Sequence, residues 1–139
     1  MRALLNIIWL VTGGLWLALG YLLFGLVACV LVVTIPAGVA AFRMARYALW
    51  PFGMAVVERR SGALSQTMSG ISNVIWFIVA GLWLALGHLV TAAAQAVTII
   101  GIPLAIANLK MIPVTCFPFG KVMVPTDSLA PGQRPLHSL

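Results

Sequence analysis

The residues best placed to do chemistry in this chain are a few polar side chains inside long apolar segments. His88 and Gln95 are seven residues apart, so on an α-helix they share one face. Tyr21 occupies the matching place in an earlier apolar segment. A polar group at such depth either lines a transport pathway or ties helices together by hydrogen bonds. We take Tyr21, His88 and Gln95 as the candidate functional residues within the membrane, and the hydrogen-bonding role is the favoured one.

Catalytic chemistry has few groups to use. Glu58 and Asp127 are the only carboxylate side chains, and they lie in a polar linker and a polar tail. Paired acid–base catalysis needs two such groups held at one site. Cys29 and Cys116 form neither a metal motif nor a redox motif. No catalytic, cofactor-binding or metal-binding residues are predicted, and we expect a protein that is not an enzyme.

The composition indicates a membrane protein. Of the 139 residues, 63% are hydrophobic and 7% are charged, and the mean hydropathy is +1.12. A soluble domain carries about 25% charged residues to cover its surface. Most of this exterior must therefore face lipid.

The net charge of +6 comes from basic residues placed singly or in pairs beside the apolar segments. Such residues anchor a membrane protein at anionic lipid headgroups. Nucleic-acid binding uses basic grooves with aromatic platforms, which this pattern lacks. We expect the lipid bilayer and its anionic headgroups as partners, and no nucleic acid. The basic residues are Arg2, Arg43, Arg46, Arg59, Arg60, Lys110, Lys121 and Arg134.

The chain contains an internal repeat with an offset of 67 residues and no gap. The matches are Asn6 with Asn73, Trp9 with Trp76, residues 16–20 (WLALG) with 83–87, Pro36 with Pro103, and residues 51–53 (PFG) with 118–120. Rare residue types in register make this a specific signal. The predicted organisation is membrane repeat 1 at 1–57, a polar linker at 58–67, membrane repeat 2 at 68–124 and a disordered tail at 125–139.

Each repeat begins with an apolar segment long enough to cross a bilayer, at about 6–35 and 73–102. Pro36 and Pro103 then mark a helix break, since proline ends one helix and suits the first turn of the next. Arg43 and Arg46 share a face of the following segment, which favours a helix lying in the membrane interface. The predicted fold is an all-α integral membrane protein.

Two topologies are compatible with the repeats. If each long segment crosses once, the linker lies opposite both termini. If each segment folds into a tight hairpin near Gly20 or Gly87, the linker and the termini share one side. A re-entrant hairpin gives the same arrangement and need not reach the far side of the membrane. Charge favours the hairpin, because every Lys and Arg would then be cytoplasmic. Length favours the single crossing, because two arms of about 15 residues fall short of the roughly 17–25 that a full span needs. We expect single crossings.

Small residues on the polar face predict close helix packing. Gly14 and Ala18 in the first repeat match Gly81 and Ala85 in the second, and both pairs have small-xxx-small spacing. Such pairs let helix backbones approach closely in lipid. We expect this face to support association of the chain into a homo-oligomer.

The doubled pattern resembles the YccF-like family of bacterial inner-membrane proteins. The resemblance rests on residues 16–20, Gly101-Ile102-Pro103, Asn108, Lys110 and residues 118–120, and it covers about residues 1–124. It implies a multi-pass protein of the bacterial inner membrane and carries no activity with it. The expected function is an oligomeric, non-enzymatic structural or regulatory subunit. The alternative is a subunit of a channel or transporter with a pathway beside Tyr21, His88 and Gln95.

Overall fold

A computed structural model of the protein describes residues 1–31 and 34–139. Val32 and Val33, which belong to the apolar segment predicted at 6–35, lie outside the described residues. Within the described part, two long helices, two shorter helices and one small sheet form the structure. They are α1 (Arg2–Val30), α2 (Ile35–Leu49), β1 (Met54–Glu58), α3 (Ala63–Ala96), α4 (Gly101–Cys116), β2 (Lys121–Pro125) and β3 (His137–Ser138).

The two long helices confirm the predicted apolar segments. α1 has 29 residues and α3 has 34, and the most apolar stretch of each has a mean hydropathy of 2.0. At about 1.5 Å per residue, each is long enough to cross a hydrocarbon core of roughly 30 Å. Both contain a π-helical turn at the same repeat position, Leu10–Gly14 and Phe77–Gly81.

Each long helix and the shorter helix after it form an antiparallel hairpin. The Trp9 indole N–H, in the first half of α1, donates to the Ala48 carbonyl at the end of α2, at 2.7 Å. At the other end, Gly38 of α2 lies against Cys29 of α1, so closely that a methyl group at Gly38 would meet the sulfur. These two contacts show that α2 runs back along α1.

The hairpins differ from the predicted interfacial placement of the helices after Pro36 and Pro103. Both prolines lie in the first turn of a helix, α2 and α4, at the expected breaks. The helices that follow pack along the long helices instead of lying flat, because small residues let the backbones approach. Gly25 of α1, for example, faces Ala41 of α2.

A clamp at the open end closes each hairpin. The Asn6 amide donates to the Phe52 carbonyl and accepts from the Phe52 N–H, both at 2.9 Å. Asn73 makes the same two bonds with Phe119, at 3.1 and 2.9 Å. Phe52 precedes Gly53, whose φ of 101° lies in the left-handed region that favours glycine. The asparagine and the Pro-Phe-Gly turn of each repeat are therefore parts of one clamp.

The sheet contradicts the placement of the linker opposite the termini, which the single-crossing topology implies. β1 follows the first hairpin, β2 follows the second, and the two strands pair antiparallel. β3 near the C-terminus pairs with the other edge of β1. The linker and the C-terminus therefore share one side, as in the hairpin alternative. The bend, however, lies between α1 and α2 and between α3 and α4, whereas Gly20 and Gly87 are inside helices.

The linker and the tail are also more ordered than predicted. Glu58 is the last residue of β1, and α3 already begins at Ala63, so the connection is shorter than 58–67. The tail predicted to be disordered contains a 3₁₀ turn at Thr126–Ser128 and the strand β3. Strand pairing gives these polar residues main-chain partners that composition alone does not reveal.

One pseudo-two-fold axis relates the repeats. Val56 lies opposite Met123 in the ladder, and these residues occupy the same position of the two repeats. The same relation holds where α1 crosses α3: Leu84 packs over Gly20, and its counterpart Leu17 packs over Gly87. The axis thus passes through both the sheet and the helix crossing.

Candidate functional site

The crossing of α1 and α3 brings two equivalent polar residues together on the pseudo-two-fold axis. Tyr21 and His88 are both fully buried, and the Tyr21 hydroxyl lies 3.0 Å from His88 Nε2. Their numbers differ by the repeat offset of 67. Two of the three residues predicted from sequence therefore meet directly, within one chain.

Hydrogen bonds extend from this pair in both directions. His88 Nδ1 lies 2.7 Å from Asn108 Oδ1, and the Asn108 amide donates to Gln95 Oε1 at 2.8 Å. The Gln95 amide in turn donates to the Thr12 hydroxyl at 2.9 Å. On the other side, the Tyr21 hydroxyl bonds to the Thr115 hydroxyl. We call these six side chains the polar chain: Thr12, Gln95, Asn108, His88, Tyr21 and Thr115.

The polar chain is complete with a neutral histidine. When Thr115 donates to Tyr21 and Tyr21 donates to His88 Nε2, the proton on His88 Nδ1 is shared with Asn108 Oδ1. The bonds then continue through Gln95 and Thr12 to a main-chain carbonyl of α1, 2.8 Å from the Thr12 hydroxyl. Each bond joins a donor to an acceptor, and the buried side-chain nitrogen and oxygen atoms along the polar chain all have a partner.

A second arrangement runs in the opposite direction. If the Asn108 and Gln95 amides turn over, their nitrogen and oxygen atoms exchange places and each bond reverses. Thr12 then donates to Gln95, and Thr115 donates to the Met111 carbonyl, 2.9 Å away. The same six side chains thus support two donor orders without any change of position.

The polar chain is asymmetric although its scaffold is symmetric. Four of its members have apolar counterparts in the other repeat: Val79 for Thr12, Ala28 for Gln95, Ala41 for Asn108 and Ala48 for Thr115. Ala41 and Ala48 are fully buried. In the first repeat, alanine is therefore sufficient for close packing at these two positions. The polar side chains at the same positions of the second repeat add hydrogen bonds that the shape of the scaffold does not require.

Sequence reasoning found three of the six members and missed the others. Tyr21, His88 and Gln95 were identifiable by their depth in the apolar segments. Asn108 and Thr115 lie on α4, where the expected interfacial position gave no reason to look for a buried contact. Comparison of the two repeats indicates Asn108 as a candidate, because the equivalent position of the first repeat holds an alanine, Ala41.

The small residues on the polar face pack within the chain. Gly14 lies under the Trp9 ring and close to the end of α2, and Gly81 lies against Trp76 and Cys116. Ala18 and Ala85, four residues later in each repeat, lie in the same region. Ala18 is buried and Ala85 is half-buried. The structure thus uses this face to join each long helix to its own short helix.

Taken together, the fold and the buried site define a multi-pass helical membrane protein built from two hairpin repeats. Comparison with known proteins gives the family. The inner membrane component domain, YccF, matches residues 4–54 and 71–121, two ranges separated by the same offset of 67. The chain belongs to the YccF family of bacterial inner-membrane proteins.

Two curated relatives agree with this assignment. The chain is 34% identical over 134 residues to the inner membrane protein YccF of Escherichia coli (strain K12) and to that of Shigella flexneri. In both cases the match covers 92% of this chain and 90% of the relative. No solved structure matches the chain. The protein is an inner-membrane protein, as the resemblance implied.

Proposed function

We propose that this protein is a non-enzymatic structural or regulatory subunit of the inner membrane that associates with copies of itself through its lipid-facing helix surface. The observation that carries the proposal is how the polar groups are used. All six side chains of the polar chain bond to each other or to the main chain of the same protomer. They lock the two repeats together, and the exposed surface of the long helices carries large apolar side chains.

The lipid-facing surface contains equivalent large side chains on the two long helices. Trp16 and its counterpart Trp83 are 75% and 60% exposed. Leu19 and Leu86, one turn further along, are also exposed. Association between helices in lipid depends on the fit of such side chains, since lipid tails are as apolar as the side chains themselves.

Counting subunits in liposomes tests the association. The labelled protein is diluted to low density in the bilayer, and single-molecule photobleaching gives the number of copies per spot. We expect multimers, and fewer of them when Trp16 and Trp83 are replaced by alanine. Trp50→Ala, which changes an exposed tryptophan directly after α2, serves as the matched control. A protein that is monomeric at every density would exclude self-association.

A second candidate function is proton transfer through the membrane. The observation in its favour is that the polar chain contains a buried histidine and can adopt two donor orders, and ionisable residues within membrane segments, histidine among them, form proton relays in pumps and transporters. Liposomes with an imposed pH gradient and an internal pH-sensitive dye test it. On the structural role, His88→Tyr and His88→Leu leave the dye signal unchanged. Flux that both variants abolish, with the subunit count intact, would favour the transport role.

A further inference from the structure

The pseudo-two-fold relation creates two equivalent grooves beside the sheet, and the C-terminal strand fills one of them. We call this filled site the tail groove. β3 pairs there with the free side of β1, where the Leu136 N–H donates to the Val56 carbonyl at 2.7 Å. Lys110 of α4 reaches the same strand and donates to the Ser138 carbonyl at 3.3 Å. The tail groove thus holds an extended segment between a strand edge and a basic side chain.

The equivalent position in the other half is an open cavity of about 510 Å³, which we call the open groove. Residues in the tail groove have their counterparts here: Arg43 corresponds to Lys110, and Met123 corresponds to Val56. The lining includes Arg43, Arg46, Trp50, Met54, Val122 and Met123. The tail groove therefore shows what kind of ligand a groove of this shape accepts, namely an extended strand.

The edge of β2 in the open groove offers main-chain groups for such a strand. Residues opposite each other in an antiparallel ladder either bond to each other or both face away. The Val56 carbonyl faces away, because it accepts from β3, so Met123 opposite it also faces away from β1. An edge with outward N–H and C=O groups is a template for an added strand.

The positive charge of the open groove indicates which side chains a bound strand should have. Arg43 and Arg46 both line the cavity, and Arg59 is close enough to Arg43 to add to the positive potential. The chain has eight basic and only two acidic side chains, so at least six of the basic groups have no acidic side chain of the same protomer to pair with. In the tail groove, Pro113 stands at the position of Arg46. The two guanidinium groups are therefore a property of the open groove, and they match carboxylates, which arginine binds in a bidentate manner.

We propose that the open groove binds an extended acidic segment of a partner protein. The segment adds to the sheet as a strand beside β2 and places a carboxylate against Arg43 and Arg46. The basic residues around the sheet put this side of the protein in the cytoplasm by the positive-inside rule, so the partner is cytoplasmic or has a cytoplasmic segment. This inference rests on the proposed role as a structural or regulatory subunit and names the chemistry of its partner.

Peptide binding tests the proposal on the full chain in phosphatidylcholine nanodiscs. The probe is a fluorescent seven-residue peptide of alternating valine and glutamate, followed by anisotropy. The controls are the same peptide with lysine in place of glutamate, and one whose outward amides are N-methylated. We expect both controls to bind at least tenfold more weakly. Amide exchange at Met123 should slow when the acidic peptide is bound.

Matched variants locate the site. Arg43→Gln combined with Arg46→Gln should weaken binding of the acidic peptide at least tenfold, because the carboxylates lose both guanidinium partners. Lys110→Gln, at the equivalent position of the tail groove, should change it less than twofold. Both arginines are exposed, so their replacement leaves the buried core intact.

Several results would overturn the proposal. Absence of binding would do so, as would equal binding of the N-methylated peptide, since an added strand needs its amides. If nanodiscs that contain phosphatidylglycerol abolish peptide binding through the same two arginines, the groove is a headgroup site. Subunit counting is independent of this assay, so failure of the peptide and failure of self-association can be told apart.

Discussion

Tyr21 and His88 occupy the same position of the two repeats, and the Tyr21 hydroxyl lies 3.0 Å from His88 Nε2. The pseudo-two-fold axis brings equivalent positions of the two repeats together. Two identical residues there would not supply the two different groups that this contact pairs. A tyrosine beside a histidine gives one hydroxyl and one imidazole, which can donate and accept in turn. The repeats therefore differ at their centre as well, and this difference produces a directional bond.

Coupling between these two residues is the first prediction. Tyr21→Phe and His88→Leu should each destabilise the protein, and the double variant should lose less than the sum. Interhelical hydrogen bonds in lipid contribute about 0.6 to 2 kcal/mol, so we expect a coupling energy of that order. Unfolding of the four proteins of the cycle in detergent micelles measures it. Leu82→Phe, on the exposed side of α3, is the control with little effect. Strictly additive losses would contradict a bond between the two side chains.

The asparagine clamps should be the strongest local contacts of the hairpins. Asn6→Ala removes two hydrogen bonds to Phe52 and leaves two partly buried main-chain groups of Phe52 without these partners. A buried unpaired group costs about 1 to 3 kcal/mol, and the loss in unfolding free energy should be in that range. Asn73→Ala should behave alike. Gln66→Ala, which alters an exposed amide on α3, should change stability by less than about 0.5 kcal/mol. Equal losses at Asn6 and Gln66 would show that the clamp is not needed.

The hairpin topology predicts which engineered cysteines react from the same side. In a background with Cys29→Ala and Cys116→Ala, Gly62→Cys and Ser138→Cys should both react with a membrane-impermeant maleimide from the cytoplasmic face. Ile99→Cys, in the exposed turn between α3 and α4, should not react from that face. Reaction of Gly62→Cys and Ser138→Cys from opposite faces would restore the single-crossing topology.

Docking of the C-terminal strand should depend on pH through His137. Burial lowers the pKa of His137, and the nearby charges of Lys110 and Lys121 lower it further. Tyr47, whose hydroxyl is 3.2 Å from His137 Nε2, also faces it. The docked tail holds the imidazole neutral, whereas a released tail takes up a proton more readily. Docking is therefore fully stable above about pH 6.5, the pKa of free histidine, and weakens as the pH falls below it.

Amide protection of the two residues that flank β3 measures this effect. The Leu136 and Leu139 amides donate to the carbonyls of Val56 and Met54, so their protection factors report docking directly. We expect the protection to fall between pH 7 and pH 5, and His137→Gln to remove the pH dependence. An unchanged slope in that variant would assign the effect to another group.

The sequence by itself determined the parts of the structure that repeat locally. The offset of 67, the apolar length of α1 and α3, and the proline breaks at Pro36 and Pro103 are all readable along the chain. Each follows from a local rule: hydrophobic length matches the bilayer, and proline lacks the N–H that a helix interior needs. The depth of Tyr21 and His88 in those segments was readable for the same reason.

The tertiary structure decided the parts that depend on which elements meet. α2 lies along α1 because its small residues fit there. Its composition alone is equally compatible with a basic helix in the membrane interface. Asn108 enters the polar chain only once α4 packs on α3, and the C-terminal residues become a strand only beside the edge of β1. These contacts join residues far apart in the chain, and their free energy comes from matching surfaces and paired main-chain groups, which no single segment contains.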